Sequence, residues 1–269
     1  MIKNKHGLPQ VLVNLFGKHT YSKGAATWSV TSLISPPKIT VLREAYRRQI
    51  AADSDISDSF WSLMGTNIHR ILQDGAEKDS ITEERLFTEI AGHVISGQID
   101  VQYITGNTVR IIDWKFTSVW SVQRPKPEWE AQLNLYAYLV KKVKGFDVEG
   151  IWVCAILKDW KKMDTFRRQN YPEAPIMMVR QPLWSEATQE AYATNAVKSL
   201  VAAQAALDLD GQLPDCTDED RWLRDGVNLR CENFCDVAPW CEQWHKIRKA
   251  KPDEPAKTDK PKRKAKKND

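Results

Sequence analysis

After an N-terminal stretch of mixed character, hydrophobic and polar positions fall into blocks of two different periods. In "WSVTSLISPPKITVLREAYRRQIA", Ser29 or Thr31 is placed to cap a short helix. Pro36 and Pro37 break it, and a second helix runs through Leu42 and Tyr46. "SDSFWSLMGTNIHRILQDGAE" carries Leu63, Met64, Ile68 and Leu72 near helical spacing, which puts His69 on a helix. The period then drops to two. "ERLFTEIAGHVISGQIDVQYI" alternates, and after the turn "TGN" the chain resumes as "TVRIIDWKFT", the pattern of a β-meander. "PEWEAQLNLYAYLVKKV" returns to helical spacing through Trp129, Leu133, Tyr136 and Val140. "GIWVCAIL" reads as a buried strand and "TQEAYATNAVKSLVAAQAALD" as an Ala-rich helix. Helices, strands, helix, strand, helix: this order predicts a mixed α/β domain.

Length and composition sharpen the organisation more than the fold. With 269 residues, 42% of them hydrophobic, the chain can bury one large core and carry an appendage. The longest apolar run in its middle, "IWVCAIL" at 151–157, is far too short to span a bilayer. "MIKNKHGLPQ" has no apolar signal-peptide region, so a cytoplasmic protein with no membrane partner is expected. The expected division is an N-terminal extension at 1–27, a core at 28–210, a cysteine- and tryptophan-rich segment at 211–245 and a disordered basic tail at 246–269. Net charge is +4, but from Lys246 onward eleven Lys/Arg face four Asp/Glu, a surplus of seven that leaves the rest at −3. Nucleic acid, if bound by the body, is therefore expected in a local groove. The tail is either a solvated end or a source of non-specific attraction.

Charge inside the strand-like "VRIIDWKFT" is the first chemical signal. Asp113 and Lys115 are two apart, so on a strand they share a face. Ile112, Trp114 and Phe116 are expected to anchor the strand from the other side. Asp100 ends the preceding alternation thirteen residues earlier, and a hairpin through Gly106 and Asn107 would bring it near Asp113. Two close carboxylates repel unless a cation lies between them or one is protonated, and hard divalent ions take such oxygens. A lysine beside them suits the charge that develops in phosphoryl transfer. An Asp113–Lys115 surface pair is the plainer alternative. Gln132 and Tyr136 stand at i and i+4 on the next helix, either facing the site or as a solvent-exposed glutamine beside a core tyrosine.

"GQID" (97–100), "IIDWK" (111–115) and "QLNLYAYL" (132–139) together resemble the motifs of the PD-(D/E)xK nuclease superfamily, in its RecB-like branch of phage-type exonucleases and CRISPR-associated nucleases. "GTNIH" (65–69) is similar to that family's histidine-bearing helix, and "SVTSLISPP" (29–37) to its opening segment. The resemblance covers residues 28–245, with its specific motifs at 65–139. It implies a restriction-endonuclease-like core: a central mixed sheet flanked by helices. It further implies that His69, Asp100, Asp113 and the carbonyl of Trp114 bind Mg²⁺ or Mn²⁺. Lys115 would orient or activate water, with Gln132 and Tyr136 in support. On its own, His69 would equally suit a buried core histidine. Glu84, Glu89 and Glu130 lie at no motif position and are left out.

The remaining signal is Cys216-x14-Cys231-x3-Cys235-x5-Cys241, in a chain expected to stay reduced. Four thiols in a turn-rich segment suit Zn²⁺ or an iron–sulfur cluster. The last three are similar to the C-terminal cysteine group of RecB-like nucleases, which implies a structural [4Fe–4S] cluster, with Zn²⁺ as the alternative. Where such relatives often have a cysteine before the proline, this chain reads "SPPK", so Cys216 is the candidate fourth ligand. The expectation is a metal-dependent DNA exonuclease of repair, recombination or phage DNA metabolism. Its partners would be DNA and a recombinase, helicase or single-strand-binding protein. The alternative is a non-catalytic nucleic-acid-binding partner with a degenerate nuclease fold. Trp114, Phe116, Trp120 and Trp129 are candidates to stack on bases, at least half of them expected in the core.

Overall fold

The computed structural model describes residues 3–16, 23–75, 77–124, 126–209 and 211–250. The chain divides into two compact units, Met1–Pro214 and Asp215–Asp269. The first is built on a six-stranded mixed sheet. Its strands are β1 (Trp28–Ser29), β2 (Ser80–Ile90), β3 (His93–Thr105), β4 (Thr108–Thr117), β5 (Asp147–Leu157) and β6 (Ile176–Gln181).

Strand β3 is the hub. β2 pairs antiparallel along one edge of it. The other edge is shared: β1 runs parallel at Trp28↔Ile95 and Ser29↔Ser96, and β4 pairs antiparallel from Val101↔Ile112 to Thr105↔Thr108. The predicted meander is therefore present. Its first turn is Ala91–Gly92, both with positive φ (48° and 80°), a two-residue hairpin geometry that matches strand twist. Its second is "TGN", where Gly106 supplies φ 60°. β4 and β5 are parallel, and a parallel pair needs a crossover. Pro127–Lys144 supplies it as an 18-residue helix, with Glu128 and Glu130 in its first turn and Lys141, Lys142 and Lys144 in its last, closing on left-handed Gly145. β6 was not evident in the pattern: it is an edge strand that alternates between exposed and half-buried, so "IMMVRQ" lacks a buried-strand signature.

The Pro127–Lys144 helix packs across β2 to β5. Its Leu133, Leu135, Leu139 and Val140 join Ile95, Ile99, Ile111, Ile151 and Val153 in one core. Gly97 permits this approach. A Cβ there would lie 2.5 Å from Leu139 Cδ1 and 3.1 Å from the Tyr136 ring. Ser29 caps Val30–Leu33 in a capping box with Ser32, and Pro37–Ala45 follows after the Pro36–Pro37 break. Ile56–Gln73 carries His69, capped by Asp55, which accepts from the Ser57 N–H at 3.0 Å. The Ala-rich segment forms Glu186–Leu209.

The second unit is made of short pieces: Leu223–Arg224 paired with Val227–Asn228, the helix Leu229–Asn233, a 3₁₀ turn at Ala238–Trp240 and the helix Glu242–Ala250. That last helix runs through Lys246, where a disordered tail was expected to begin; residues 251–269 of that tail lie outside the described residues. Among the described residues, no helix is long and apolar enough to cross a membrane.

Candidate active site

The β2–β3 register passes from Thr82↔Val101 to Glu84↔Ile99 with no pair between them, which sets Glu83 opposite Asp100. Glu83 holds a left-handed backbone, φ 53°, costly for a residue with a Cβ and common where a site requires it. Asp100 is buried, and its Oδ2 accepts the Trp114 N–H at 2.7 Å where β3 and β4 stop pairing. His69 projects between the two acids: Nδ1 lies 3.2 Å from Glu83 Oε1 and 3.4 Å from Asp100 Oδ1. Burial works against charge on this imidazole, yet hydrogen bonds to Asp100 and Glu83 outweigh it and push its pKa up to about 10. The cluster thus demands positive charge, from a proton or from a metal ion competing with it.

Among the described residues, His69, Glu83 and Asp100 are the group of three His/Cys/Asp/Glu side chains whose ligand atoms all lie within 4.8 Å of one another. Adjacent ligands on Mg²⁺ or Mn²⁺ stand about 3 Å apart, given metal–oxygen distances of about 2.1 Å. The donor set fits such an ion with little rearrangement. A network holds it from behind: Gln98 Nε2 donates to Glu83 Oε2, and Arg85 donates to Gln98 and to Ser96.

Asp113 follows the last β3–β4 pair, so the register points it toward Asp100. It is 2% exposed, and burial holds its carboxyl above the usual range, against the Lys115 ammonium and with Asp100 adding to the rise. Lys115 Nζ forms an ion pair with Asp113 Oδ2, an oxygen with no well-oriented hydrogen bond. The expected division of β4 into an anchoring face and a working face needs correction. Val109 and Ile111, on the alternation of Asp113, are fully buried, whereas Ile112, Trp114 and Phe116 are half-buried. The strand is anchored on the very face that carries Asp113, which is why the carboxylate is so deeply desolvated. Trp114 meets Asp100 through its amide N–H. Gln132 Nε2 donates to the Tyr136 hydroxyl at 2.8 Å.

These groups meet at a cavity of about 670 Å³, whose walls include His69, Glu83, Asp100, Trp114, Lys115 and Tyr136. Asp113 and Gln132 stand behind Lys115 and Tyr136 rather than in the wall. A second cavity of about 530 Å³ shares Ser29 and Thr31 with the first and brings Lys23, Arg43 and Arg47 to its lining. Trp129 packs against the core. Trp120 is 42% exposed beneath Lys126 and Arg124.

Glu83 was missed by sequence reasoning. Counting back from the Ala91–Gly92 turn would have placed it opposite Asp100, but no motif marks it. Glu84, one residue on, pairs instead with Lys144 and Gln102, and Glu130 accepts from Trp184 Nε1. In the second unit, Cys216 is tied to the segment after Cys241: its N–H donates to Gln243 Oε1 and its carbonyl accepts from Gln243 Nε2, both at 2.8 Å. Burial and the neighbouring Cys235 and Cys241 push the Cys231 thiol up to about 11.

A crystal structure of the protein SSO0001 superposes with a TM-score of 0.52 at 18% identity, over 87% of this chain and 93% of that one. A candidate exonuclease from Eubacterium rectale is more distant, with a TM-score of 0.33 and 12% identity over 83% of this chain and 84% of its own. No curated protein matches the chain. The family model for the PD-(D/E)XK nuclease superfamily matches residues 40–242, across the sheet, the His69 helix and the cysteines up to Cys241. By that match the chain belongs to the PD-(D/E)XK nuclease superfamily.

Proposed function

We propose that this protein is a divalent-metal-dependent deoxyribonuclease of the RecB-like kind, acting as an exonuclease. One observation carries the reading: a His69–Glu83–Asp100 donor set and an Asp113–Lys115 pair meet at one cavity. His69, Asp100 and Glu83 would hold Mg²⁺ or Mn²⁺, with Asp113 and the Trp114 carbonyl as further ligands. The histidine tilts the preference toward Mn²⁺. The bound ion would supply Lewis-acid stabilisation of the phosphoryl oxygens.

The chain's own groups do the rest. The Trp114 N–H fixes one oxygen of Asp100 and leaves the other toward His69. Asp113 orients Lys115 at the cavity wall, where its ammonium favours the anion that builds as water adds to phosphorus and the P–O ester bond breaks. Gln132 orients the Tyr136 hydroxyl toward the same space. Lys23, Arg43 and Arg47 would take backbone phosphates of the strand beyond the cut. In the second unit, Cys216, Cys231, Cys235 and Cys241 would bind a structural [4Fe–4S] cluster, with Zn²⁺ as the alternative. The Gln243 clasp on Cys216 and the nearness of Cys235 and Cys241 to Cys231, which helps raise its thiol, support this.

The test is incubation of the purified protein with end-labelled linear DNA and closed circular DNA in Mn²⁺ or Mg²⁺. Metal-dependent shortening of linear DNA, with circular DNA spared, is expected, together with at least a hundredfold loss in Asp113→Ala and Lys115→Ala. No metal-dependent product, or equal cleavage by the variants, would reject the enzyme in favour of a non-catalytic DNA-binding partner. Rapid cutting of circles would reject exonuclease action.

A further inference from the structure

Trp61 is 53% exposed and Phe60 beside it 36%, on the helix that carries His69. Both are large apolar groups left in water at a cost, and burial in the core does not account for them. Trp61 lines the same cavity as His69, eight residues and about 12 Å along the helix axis from it. Phe116, the residue after Lys115, is its neighbour across the gap, with ring centroids 6.2 Å apart and planes inclined by 40°. Lys158 places its ammonium 4.4 Å from the centre of the Trp61 ring. A half-exposed indole in the wall of the cavity that holds Glu83 and Asp100, a second ring beside it and an ammonium over it are the parts that hold an unpaired nucleotide. The ring takes the base and the cation takes its phosphate. A base within a duplex already has both faces stacked and offers none to Trp61.

We propose that Trp61, with Phe116 and Lys158, forms a base-stacking ledge at the wall of this cavity, and that the DNA strand entering it is unpaired at the nucleotide flanking the cut. The inference rests on the nuclease reading above and adds to it the substrate class and the residue that selects it. The lysine beside the ring favours a nucleic acid over an apolar protein segment, which would have to desolvate that charge.

The test uses the full-length protein and a single-stranded oligonucleotide carrying 2-aminopurine, with Ca²⁺ present to allow binding without turnover. Wild-type protein should quench the 2-aminopurine by stacking. Trp61→Ala should lose the quench and bind the single strand about tenfold more weakly, the fold-change of one base–aromatic stack, while binding a blunt duplex within twofold of wild type. Trp61→Phe should retain most of both signals, and Phe166→Ala, which removes another exposed ring, should retain all of them. Unchanged quench and affinity in Trp61→Ala, or equal losses on single strand and duplex, would overturn the ledge. Failure of the nuclease reading registers separately, as no Mn²⁺-dependent product from wild-type protein on any DNA, because the quench needs no cleavage.

Discussion

Asp100 and Asp113 sit on paired strands of 13 and 10 residues, whereas Cys216, Cys231, Cys235 and Cys241 sit in or between elements of two to nine residues. Both regions carry ligand-type side chains, but among the described residues only the first brings three of their ligand atoms within 4.8 Å of one another. In the first unit, backbone hydrogen bonding sets the positions: the β2–β3 register puts Glu83 opposite Asp100, and the end of the β3–β4 register leads to Asp113. The site is assembled by the fold whether or not an ion is bound. In the second unit few ladder bonds are available, and turns and the Gln243 clasp on the Cys216 backbone take their place. There a ligand on the four cysteines, as proposed above, would supply much of the cohesion. Removing a site residue should therefore disable the first unit without unfolding it, and should unfold the second.

The largest expected difference is at the cysteines. Cys231→Ser or Cys235→Ser should release the bound metal and make residues 215–250 at least tenfold more sensitive to trypsin, with the thermal transition of the first unit kept. Metal analysis and mass-spectrometric mapping of the fragments would check this. Equal resistance of variant and wild type would show that the second unit holds itself together. Next in size, Glu83→Gln should weaken Mn²⁺ binding by about tenfold or more, the scale for losing a metal-site acid or its support. Cleavage should recover at higher Mn²⁺, with an unchanged circular dichroism spectrum. Titration calorimetry gives the affinity directly. Gly97→Ala tests the scaffold instead of the ligands. Its Cβ would meet the side chains of Leu139 and Tyr136, so a loss of about 1–3 kcal/mol in urea unfolding is expected, with cleavage at low temperature reduced as Tyr136 shifts.

Much of this architecture was legible because it rests on period and turn chemistry. The β3–β4 hairpin follows from alternation either side of Gly106, and the next helix from the helical spacing of Trp129, Leu133, Tyr136 and Val140. Spacing brought Asp100, Asp113 and Lys115 to notice, and His69 entered through the family resemblance of "GTNIH". What escaped depends on tertiary placement. Glu83 acquires its place only from the register across the Ala91–Gly92 turn and from a left-handed backbone that no acidic residue advertises. The facing of β4 was misjudged because Trp114 and Phe116 looked like anchors, while the smaller Val109 and Ile111 are the ones fully enclosed. Trp61 is not one of the positions, Leu63, Met64, Ile68 and Leu72, whose helical spacing marks its helix. Its exposure beside Phe116 and Lys158 is set by where that helix lies on the sheet. β6 escaped because an edge strand with one face in water needs no buried run.

The sheet register brings His69, Glu83 and Asp100 together beside Lys115 as one candidate cation site. The most direct measurement is anomalous scattering at the manganese edge from crystals grown with Mn²⁺. An anomalous peak within bonding distance of His69, Asp100 and Glu83 is expected, lost in Asp100→Asn. A peak elsewhere, or none at this cluster with Mn²⁺ saturating, would contradict it.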